Sequence, residues 1–256
     1  MVGFSEDPAW GKTCTPGKSS NTGPYSERSA WDNACTSASF IPPPPPCPRL
    51  TEDIDLATLT LSHGIKIIGA AATDYSGYSV SGVGDVNKDG FADFIIGAIG
   101  ADPGGRSNAG ESYLIYGGDS LPATIDLGNL GSAGIKLTGA VAGDNSGWSV
   151  SGAGDVNKDG FADFIIGARY AATGGGSYAG ESYIIYGTAS LPTTIDLGNL
   201  GSDGITITGA VSGDFSGSSV SGAGDVTGDG CSDFIIGAYG ATPEGRSNAG
   251  ESYLIL

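Results

Sequence analysis

Aspartate-rich segments of nine residues recur three times along this chain of 256 residues. The first spans residues 85–93, with oxygen-bearing side chains at its positions 1, 3, 5 and 9 and Gly at position 6. A backbone that turns sharply at this Gly lets those side chains converge, and the carbonyl group at position 7 adds another oxygen. Six to eight oxygens at about 2.3–2.6 Å suit Ca²⁺, whereas Mg²⁺ requires stricter octahedral geometry. Zinc is not expected, because no Cys or His supplies a side-chain ligand.

The predicted ligands occupy the same positions in each segment, and the residue at position 7 contributes its backbone carbonyl. They are Asp85, Asn87, Asp89, Phe91 and Asp93; Asp155, Asn157, Asp159, Phe161 and Asp163; and Asp225, Thr227, Asp229, Cys231 and Asp233. These segments differ from EF-hand loops, because position 12 is Ile where a bidentate Glu is required. We therefore assign the bidentate role to the Asp at position 9. The sequence predicts about three calcium sites, and the third is the weakest because Thr227 replaces a stronger oxygen donor.

A turn held only by bonds from side chain to backbone is the alternative for each segment. A single copy would leave the two interpretations in competition. Three identically spaced copies, each followed by an apolar strand, favour calcium.

The elements that carry these segments also repeat. The run from Ser81 to Ala98 returns at Ser151 with one substitution and again at Ser221, so the period is 70 residues. Each copy predicts four short strands separated by Gly-rich or Asn/Asp-rich turns. In the first copy these are a strand containing Tyr78 and Val80, then 93–98, 111–116 and 134–138. Alternating polarity predicts half-buried first, third and fourth strands, and the apolar second strand is expected to be fully buried.

Tandem four-stranded units predict an all-β chain of β-propeller blades rather than a solenoid. The repeats cover about 64–133, 134–203 and 204–256, and an extra fourth-type strand at 64–70 precedes the first strand of the first unit. The terminal segments of 51–256 are thus able to complete a shared blade. Closed propellers have about four to eight blades. Three repeats therefore indicate either part of a longer protein or an association of copies.

The run from Ser76 to Ala98 resembles the FG-GAP repeat of integrin α-subunit propellers and of bacterial and algal-type integrin-like proteins. The resemblance covers about residues 50–256. It implies calcium bound between the first two strands of a blade, by the fifteen residues given above, and a role in extracellular adhesion or recognition. Two departures are the small number of repeats and their unusual likeness to one another.

Composition limits the remaining classes of function. The formal charge of −17 argues against nucleic acid and anionic membrane surfaces as partners. The apolar runs are too short to span a membrane, and residues 1–11 lack the apolar stretch of a signal peptide. We therefore expect a mature or truncated chain, or export by another route.

Residues 1–50 form a Cys/Pro-rich arm in which Pro42–Pro46 predicts a stiff polyproline strut. Cys14, Cys35, Cys47 and Cys231 are disulfide candidates, which indicates an oxidising compartment. Two bridges allow three pairings, and the sequence does not select among them. Since Cys231 replaces the Phe of the other copies, it is a possible anchor for the arm.

No catalytic residues are predicted. His63 is the single His, so a repeated Ser/His/Asp arrangement cannot be built. Carboxylates that recur in every copy fit hydrogen bonds in turns better than an active site, which is normally single. They are Glu111, Glu181, Glu251, Asp74, Asp144 and Asp214. An aromatic residue at 78 and 148 becomes Ser218, and we expect it to pack between blades.

The sequence thus predicts a non-catalytic, calcium-binding module for extracellular adhesion or cell-surface recognition. Its expected partners are a protein or glycan surface ligand, or copies of itself, without nucleic acid or membrane insertion. One alternative is a structural protomer of an extracellular filament or sheath joined through the N-terminal arm. Another is the accessory propeller of a secreted hydrolase.

Overall fold

The computed structural model describes residues 53–172 and 176–256. The predicted N-terminal arm, its polyproline strut and three of the four cysteines lie outside these residues. From Ile54 to Leu256 the chain forms one compact unit. Its strands, numbered in chain order, are β1 (Lys66–Ile68), β2 (Ser76–Gly84), β3 (Asp93–Ala98), β4 (Glu111–Ile115), β5 (Thr124–Asp126), β6 (Gly134–Thr138), β7 (Ser149–Gly154), β8 (Asp163–Ala168), β9 (Glu181–Ile185), β10 (Thr194–Asp196), β11 (Gly204–Thr208), β12 (Ser216–Gly224), β13 (Asp233–Ala238) and β14 (Glu251–Ile255).

Helical structure in the described chain is confined to 3-10 turns. These are Leu56–Thr58, Pro103–Gly105, Leu127–Asn129, Gly131–Ala133, Leu197–Asn199 and Pro243–Gly245. Among the described residues, no helix is both long and apolar enough to cross a membrane. The expectation of an all-β chain is confirmed for this part of the protein.

Three antiparallel sheets follow one another along the chain, and we call them blades A, B and C. Blade A contains β2, β3, β4 and β6, blade B contains β7, β8, β9 and β11, and blade C contains β12, β13 and β14. Equivalent strands pair in equivalent register, as Phe94 with Ile115 in blade A and Phe234 with Ile255 in blade C. The sheet pattern is therefore that of propeller blades, as the repeats predict.

A fifth, parallel strand was not predicted. β10 follows the third strand of blade B in the chain but pairs in parallel with β6 of blade A, and β5 pairs in parallel with β1. The central residues Ile125 and Ile195 of the two strands are each 3% exposed. Each strand leads into a 3-10 turn in which an Asp caps the next N–H group, as Asp126 does for Gly128 at 2.9 Å. These three-residue strands are too short to be recognised by alternation.

The apolar core lies between neighbouring blades. One cluster joins Ile95 and Leu114 of blade A to Phe164 of blade B, and another joins Ile165 of blade B to Phe234 of blade C. As a result, all five residues of β4 and of β9 are buried. The prediction of half-buried third strands is wrong for these two blades, because both faces of each sheet are covered. Blade B and the strands β1 and β5 cover blade A, and blades A and C cover blade B.

The extra strand β1 does not complete blade C. It pairs with β5, and its central residue Ile67 and the preceding Ile65 pack on an apolar cluster around Ile96 and Ile115 of blade A. Within the described residues, the last strand β14 pairs only with β13. The described residues of one chain therefore do not form the expected blade shared by the two ends of the repeat region, since β1 lies beside blade A.

Candidate calcium-binding loops

Each aspartate-rich segment connects the first and second strands of its blade. In the first loop the chain leaves β2 at Gly84 and enters β3 at Asp93. Gly90, at position 6, has φ +94°, and Lys88 has φ +59°. The backbone thus turns through left-handed conformations, and the predicted requirement for Gly at position 6 is met.

The side chains at positions 1, 3 and 5 point into the loop that they belong to. Both carboxylate oxygens of Asp85 accept N–H groups, from Asp89 at 3.2 Å and from Gly90 at 2.9 Å. The Asn87 Oδ1 also accepts the Asp89 N–H at 2.9 Å. Because two of these oxygens share one N–H donor, they lie on the same side of the backbone. The second loop repeats the arrangement. Asp155 accepts the N–H groups of Asp159 at 3.1 Å and of Gly160 at 2.8 Å. The Asn157 Oδ1 also accepts the Asp159 N–H, at 3.0 Å.

The third loop differs at position 3. Asp225 accepts N–H groups from Gly230 at 2.9 Å, Gly228 at 2.6 Å and Asp229 at 3.2 Å. The bond from Gly230 is the largest cause that lowers the pKa of the exposed Asp225. Gly228 is able to take the αL conformation at φ +77° without the cost that Lys carries there. Thr227 supplies one hydroxyl oxygen where the other loops supply an amide.

The carboxylate at position 9 is held beneath each loop rather than inside it. Asp93 is 2% exposed, and its two oxygens accept the N–H groups of Val86 at 2.9 Å and Gly117 at 2.8 Å. Burial raises its pKa, and repulsion from Asp89 and Asp85 adds to the rise. In the second loop, burial together with repulsion from the equivalent carboxylates raises the pKa of Asp163 to about 6.

The structure therefore brings together positions 1, 3 and 5 of each loop and places position 9 in a separate set of hydrogen bonds. Within the described chain, no three His, Cys, Asp or Glu side chains are grouped as a metal site. The predicted ligand set depends in addition on amide, hydroxyl and carbonyl oxygens. A carboxylate oxygen that accepts one N–H bond keeps a second lone pair for a cation. The repelling carboxylates fit a divalent cation, which would relieve their mutual repulsion.

Position 7 differs in its side chain from one loop to the next. Phe91 is 40% exposed, whereas the Phe161 ring lies 4.1 Å from Lys88 Nζ of the preceding blade. Cys231 is not in a disulfide with any residue of 53–172 or 176–256, and its three candidate partners lie outside those ranges. The predicted bridge to the arm stays a prediction.

The recurring carboxylates outside the loops have structural roles, as predicted. The Glu111 carboxylate accepts the Tyr113 hydroxyl and lies 3.1 Å from Lys136 Nζ. Asp74 and Asp144 each accept the N–H of the residue three positions earlier, at 3.0 and 3.1 Å. These acids fix the third strand and the turn before the first strand of each blade.

An aromatic cluster, which sequence reasoning largely missed, lies at the opposite end of the strands from the loops. The rings of Tyr78 and Trp148 are 4.7 Å apart, which confirms the predicted packing between blades. The guanidinium of Arg169 lies 3.4 Å from the Trp148 ring. Phe215 stacks on Tyr239 at 5.2 Å. The cluster could have been found from the positions where the otherwise near-identical repeats differ, such as the position occupied by Ile99, Arg169 and Tyr239.

Asp144 predicts a pH dependence of stability. Burial, with a smaller contribution from the negative charge of Glu181, raises the pKa of Asp144 to about 6. An unfolded Asp titrates near about 3.9. Between about pH 4 and 6 the folded chain binds a proton that the unfolded chain has lost, so the free energy of unfolding falls as pH rises. The full loss is about 3 kcal/mol at most, since a pKa unit is about 1.4 kcal/mol.

The Asp144→Asn variant is expected to keep the bond from the Val141 N–H and to lose this part of the pH dependence. Urea unfolding at pH 4 and pH 7 measures it. The exposed Asp119 provides the matched control variant, Asp119→Asn. An unchanged slope of stability against pH in Asp144→Asn would show that another group is responsible.

Comparison with known proteins agrees with this architecture. The FG-GAP repeat model matches the chain three times, at residues 76–115, 146–185 and 216–255. Integrin alpha-5 of Xenopus laevis is 33% identical over 180 residues, covering 67% of this chain and 15% of the relative. Integrin alpha pat-2 of Caenorhabditis elegans is 35% identical over 171 residues, covering 56% of this chain and 12% of the relative.

A phosphatidylinositol-glycan-specific phospholipase D of Mus musculus is 38% identical over 104 residues, covering 41% of this chain and 12% of the relative. The chain thus spans a small part of the length of each of these relatives. The three matched repeats coincide with blades A, B and C, from the first strand of each blade to its third. This chain therefore belongs to the FG-GAP repeat family and is similar to integrin α-subunits.

Proposed function

We propose that this chain is a non-catalytic, calcium-binding module for extracellular adhesion or recognition. The observation that carries the proposal is the repeated arrangement of oxygen side chains at positions 1, 3 and 5 of the blade loops. Asp85 and Asp155 hold their loops through the same N–H groups at nearly the same distances. A hard cation that takes oxygen ligands is the ligand such loops suit.

The balance of charge supports the same conclusion. In the described part of the chain, the ion pairs are Arg106 with Asp196, Lys136 with Glu111 and Arg246 with Glu244. None of them involves a loop carboxylate. Among the described residues the loop carboxylates therefore have no ion-pair partner, in a chain of net charge −17, although Lys158 Nζ bonds to the Asp229 carbonyl of the third loop. Bound calcium would supply the missing positive charge.

Calorimetric titration with calcium chloride tests this proposal. We expect about three calcium ions per chain, with dissociation constants on the order of 10⁻⁴–10⁻³ M as in extracellular modules. The variants Asp85→Asn, Asp155→Asn and Asp225→Asn should each remove one site, and Asp119→Asn should remove none. Absence of binding to the wild-type chain at about 10 mM calcium would overturn the proposal.

The aromatic cluster is the surface that we assign to recognition. Trp148, Tyr170 and Phe215 pack with Arg169, and the neighbouring Tyr178 and Tyr239 are 53% and 54% exposed. Aromatic faces and Arg are enriched where proteins bind ligands and partners. The similarity to integrin α-subunits supports an adhesive role for this module.

A solid-phase assay tests the recognition surface. The purified chain is applied to arrays of glycans and of extracellular-matrix proteins. We expect binding that Tyr239→Ala weakens at least about tenfold, because hot-spot aromatics contribute at least about 1–2 kcal/mol. Val211→Ala is the matched control, since Val211 is also exposed, at 60%, but lies outside the cluster. Equal binding by both variants would exclude the cluster as the contact surface.

The similarity to the mouse phospholipase favours one second candidate, in which the module accompanies the catalytic domain of a secreted hydrolase. This chain alone should then release no product from a phosphatidylinositol-glycan substrate. Product release that survives purification to homogeneity would contradict the non-catalytic proposal.

A further inference from the structure

Among the described residues, blade C has an open edge and an open face at positions where blades A and B have neighbours. Leu254 of β14 is 42% exposed, whereas its equivalent in β4, Leu114, is fully buried. Ile235 of β13 is 38% exposed, whereas Ile95 in β3 is fully buried. Val226 is 57% exposed in the third loop. Apolar side chains that are core in one repeat are therefore uncovered in another, although their sequence is the same.

The strand that blade C lacks has a counterpart in β1. The run from Gly64 to Ile67 matches Gly134 to Leu137, which includes most of β6, the fourth strand of blade A. β6 pairs antiparallel with β4 on one edge and parallel with β10 on the other. Among the described residues, β1 makes only the parallel pair, with β5. β1 and β14 therefore each have one free edge, and these are the two edges that pair in blade A.

The charges on these two edges are complementary. In blade A, Lys136 Nζ of β6 lies 3.1 Å from Glu111 of β4. The equivalent residues are Lys66 on β1 and Glu251 on β14. Antiparallel pairing in the register of blade A would place Lys66 opposite Tyr253, as Lys136 is opposite Tyr113. The same ion pair would then form. Blade B has Thr206 at this position, so Lys66 resembles the blade A strand in particular.

A hydrogen bond that recurs between neighbouring blades has an unmatched donor on blade C and an unmatched acceptor on blade A. Ser79 Oγ donates to the Gly147 carbonyl at 2.6 Å, and Ser149 Oγ donates to the Gly217 carbonyl at 2.8 Å. The next donor in this series is Ser219 of blade C. The matching carbonyl belongs to Gly77 of blade A, where an added Cβ would have no neighbour within 4 Å.

Glycine packing follows the same series. A Cβ atom at Gly97 would lie 2.1 Å from the Gly147 carbonyl oxygen, and one at Gly167 would lie 2.1 Å from that of Gly217. These close approaches explain Gly at both positions. Gly237 continues the series, yet within the described chain the single close approach of a Cβ there would be to Ser219 Oγ, at 2.4 Å. Among the described residues, no carbonyl of a neighbouring blade requires Gly at this position.

Backbone hydrogen bonds between blades give a third matched set. Between blades A and B, the N–H groups of Gly143, Asn145 and Ser146 donate to the carbonyls of Ser107, Asn108 and Ala109, respectively, at 2.8–3.0 Å. Between blades B and C, the N–H groups of Gly213, Phe215 and Ser216 donate to the carbonyls of Ser177, Tyr178 and Ala179, respectively, at 2.9–3.1 Å. Continuing the period leads to the carbonyls of Ser247, Asn248 and Ala249 on blade C, and to the N–H groups of Thr73, Tyr75 and Ser76 on blade A.

We propose that a second copy of this chain covers blade C, with its β1 paired antiparallel to β14 and its blade A packed on blade C. Each copy carries both halves of this interface, so two copies satisfy each other and close a ring of six blades. That number lies within the range of about four to eight found in propellers. Reciprocal use of the interface gives the two-fold symmetry usual for dimers.

One contact present inside the chain would be lacking at the proposed interface. Lys88 Nζ lies 4.1 Å from the Phe161 ring, and Lys158 Nζ bonds to the Asp229 carbonyl at 2.8 Å. Gly228 replaces this Lys in the third loop. The interface between copies is thus expected to be weaker than the contacts between blades of one chain, and to depend on concentration.

Light scattering on the full chain in millimolar calcium tests the proposal. We expect twice the chain mass of 25.4 kDa. Glu251→Lys and Lys66→Glu should each raise the dissociation constant of the dimer at least about a hundredfold, because like charges would face each other at both junctions. The double variant Lys66→Glu/Glu251→Lys should restore the dimer. Simple damage to either strand would not be repaired in this way.

A second variant acts through shape. Gly237→Ala should give a folded monomer, because the atom that the new methyl group approaches too closely is the rotatable Ser219 hydroxyl in the isolated chain but a backbone carbonyl in the dimer. Val211→Ala is the control that should leave the dimer intact. A monomeric wild-type chain, or a polydisperse polymer, would overturn the closed pair. The calcium titration above is read separately, so failure of one proposal is distinguishable from failure of the other.

Discussion

Addition of about 10 mM calcium chloride should raise the melting temperature of this chain by about 10–20 °C. Three sites with dissociation constants on the order of 10⁻⁴–10⁻³ M would together add about 4–8 kcal/mol to the free energy of unfolding. The reason is that the folded loops bind the cation and the unfolded chain does not. Scanning calorimetry with calcium and with a chelator measures the difference.

Single-loop variants apportion this effect. Asp155→Asn removes the charge that calcium requires, and it keeps one of the two oxygens that accept the N–H groups of Asp159 and Gly160. Because one of these bonds is lost, at a net cost of about 1 kcal/mol, we expect the calcium-free melting temperature to fall by about 2–4 °C and the calcium-dependent rise to fall by about a third. The exposed Asp119→Asn should retain the full rise. If the variant altered at all three first positions still responded fully, calcium would be acting elsewhere.

Gly167→Ala is expected to destabilise the chain by about 3 kcal/mol or more, the upper range for overpacking of a core. The added Cβ would lie 2.1 Å from the Gly217 carbonyl oxygen of blade C and 2.4 Å from Ser149 Oγ. The backbone carbonyl cannot move away without separating blade B from blade C. The midpoint of urea unfolding measures the loss.

Gly118→Ala is the matched control, because a Cβ there has nothing within 4 Å and the second repeat has Thr188 at this position. Its midpoint should stay within about 0.5 kcal/mol of the wild-type value. A Gly167→Ala chain as stable as this control would mean that the blades separate more easily than their packing indicates.

The strands that follow the loops were predicted well, because their apolar runs begin directly after the position-9 Asp. β3, β8 and β13 begin at Asp93, Asp163 and Asp233 and end at the Ala of each copy. The third strands were assigned to the right residues but to the wrong environment. Alternation of Ser112, Tyr113 and Leu114 indicates one wet face, yet blade B covers the face that the pattern leaves open.

The candidate site shows the same division. Spacing alone identified the oxygen side chains and the Gly that turns the loop, and Gly90 has the expected positive φ. It did not reveal that the Asp93 carboxylate bonds to the N–H of Gly117, which is 24 residues away. That contact depends on how β3 pairs with β4, and the pattern within one loop does not contain it.

Residue types and short spacings were enough to predict the repeat, the β class, the chemistry of the loops and the FG-GAP resemblance, because each of these depends on local sequence. Tertiary structure decided which apolar faces are covered, since the same Leu is buried at 114 and exposed at 254. It also placed β1 beside β5, and among the described residues it left β14 with a free edge. Identical repeats have identical local preferences, so only the position of a blade in the row distinguishes one copy from another.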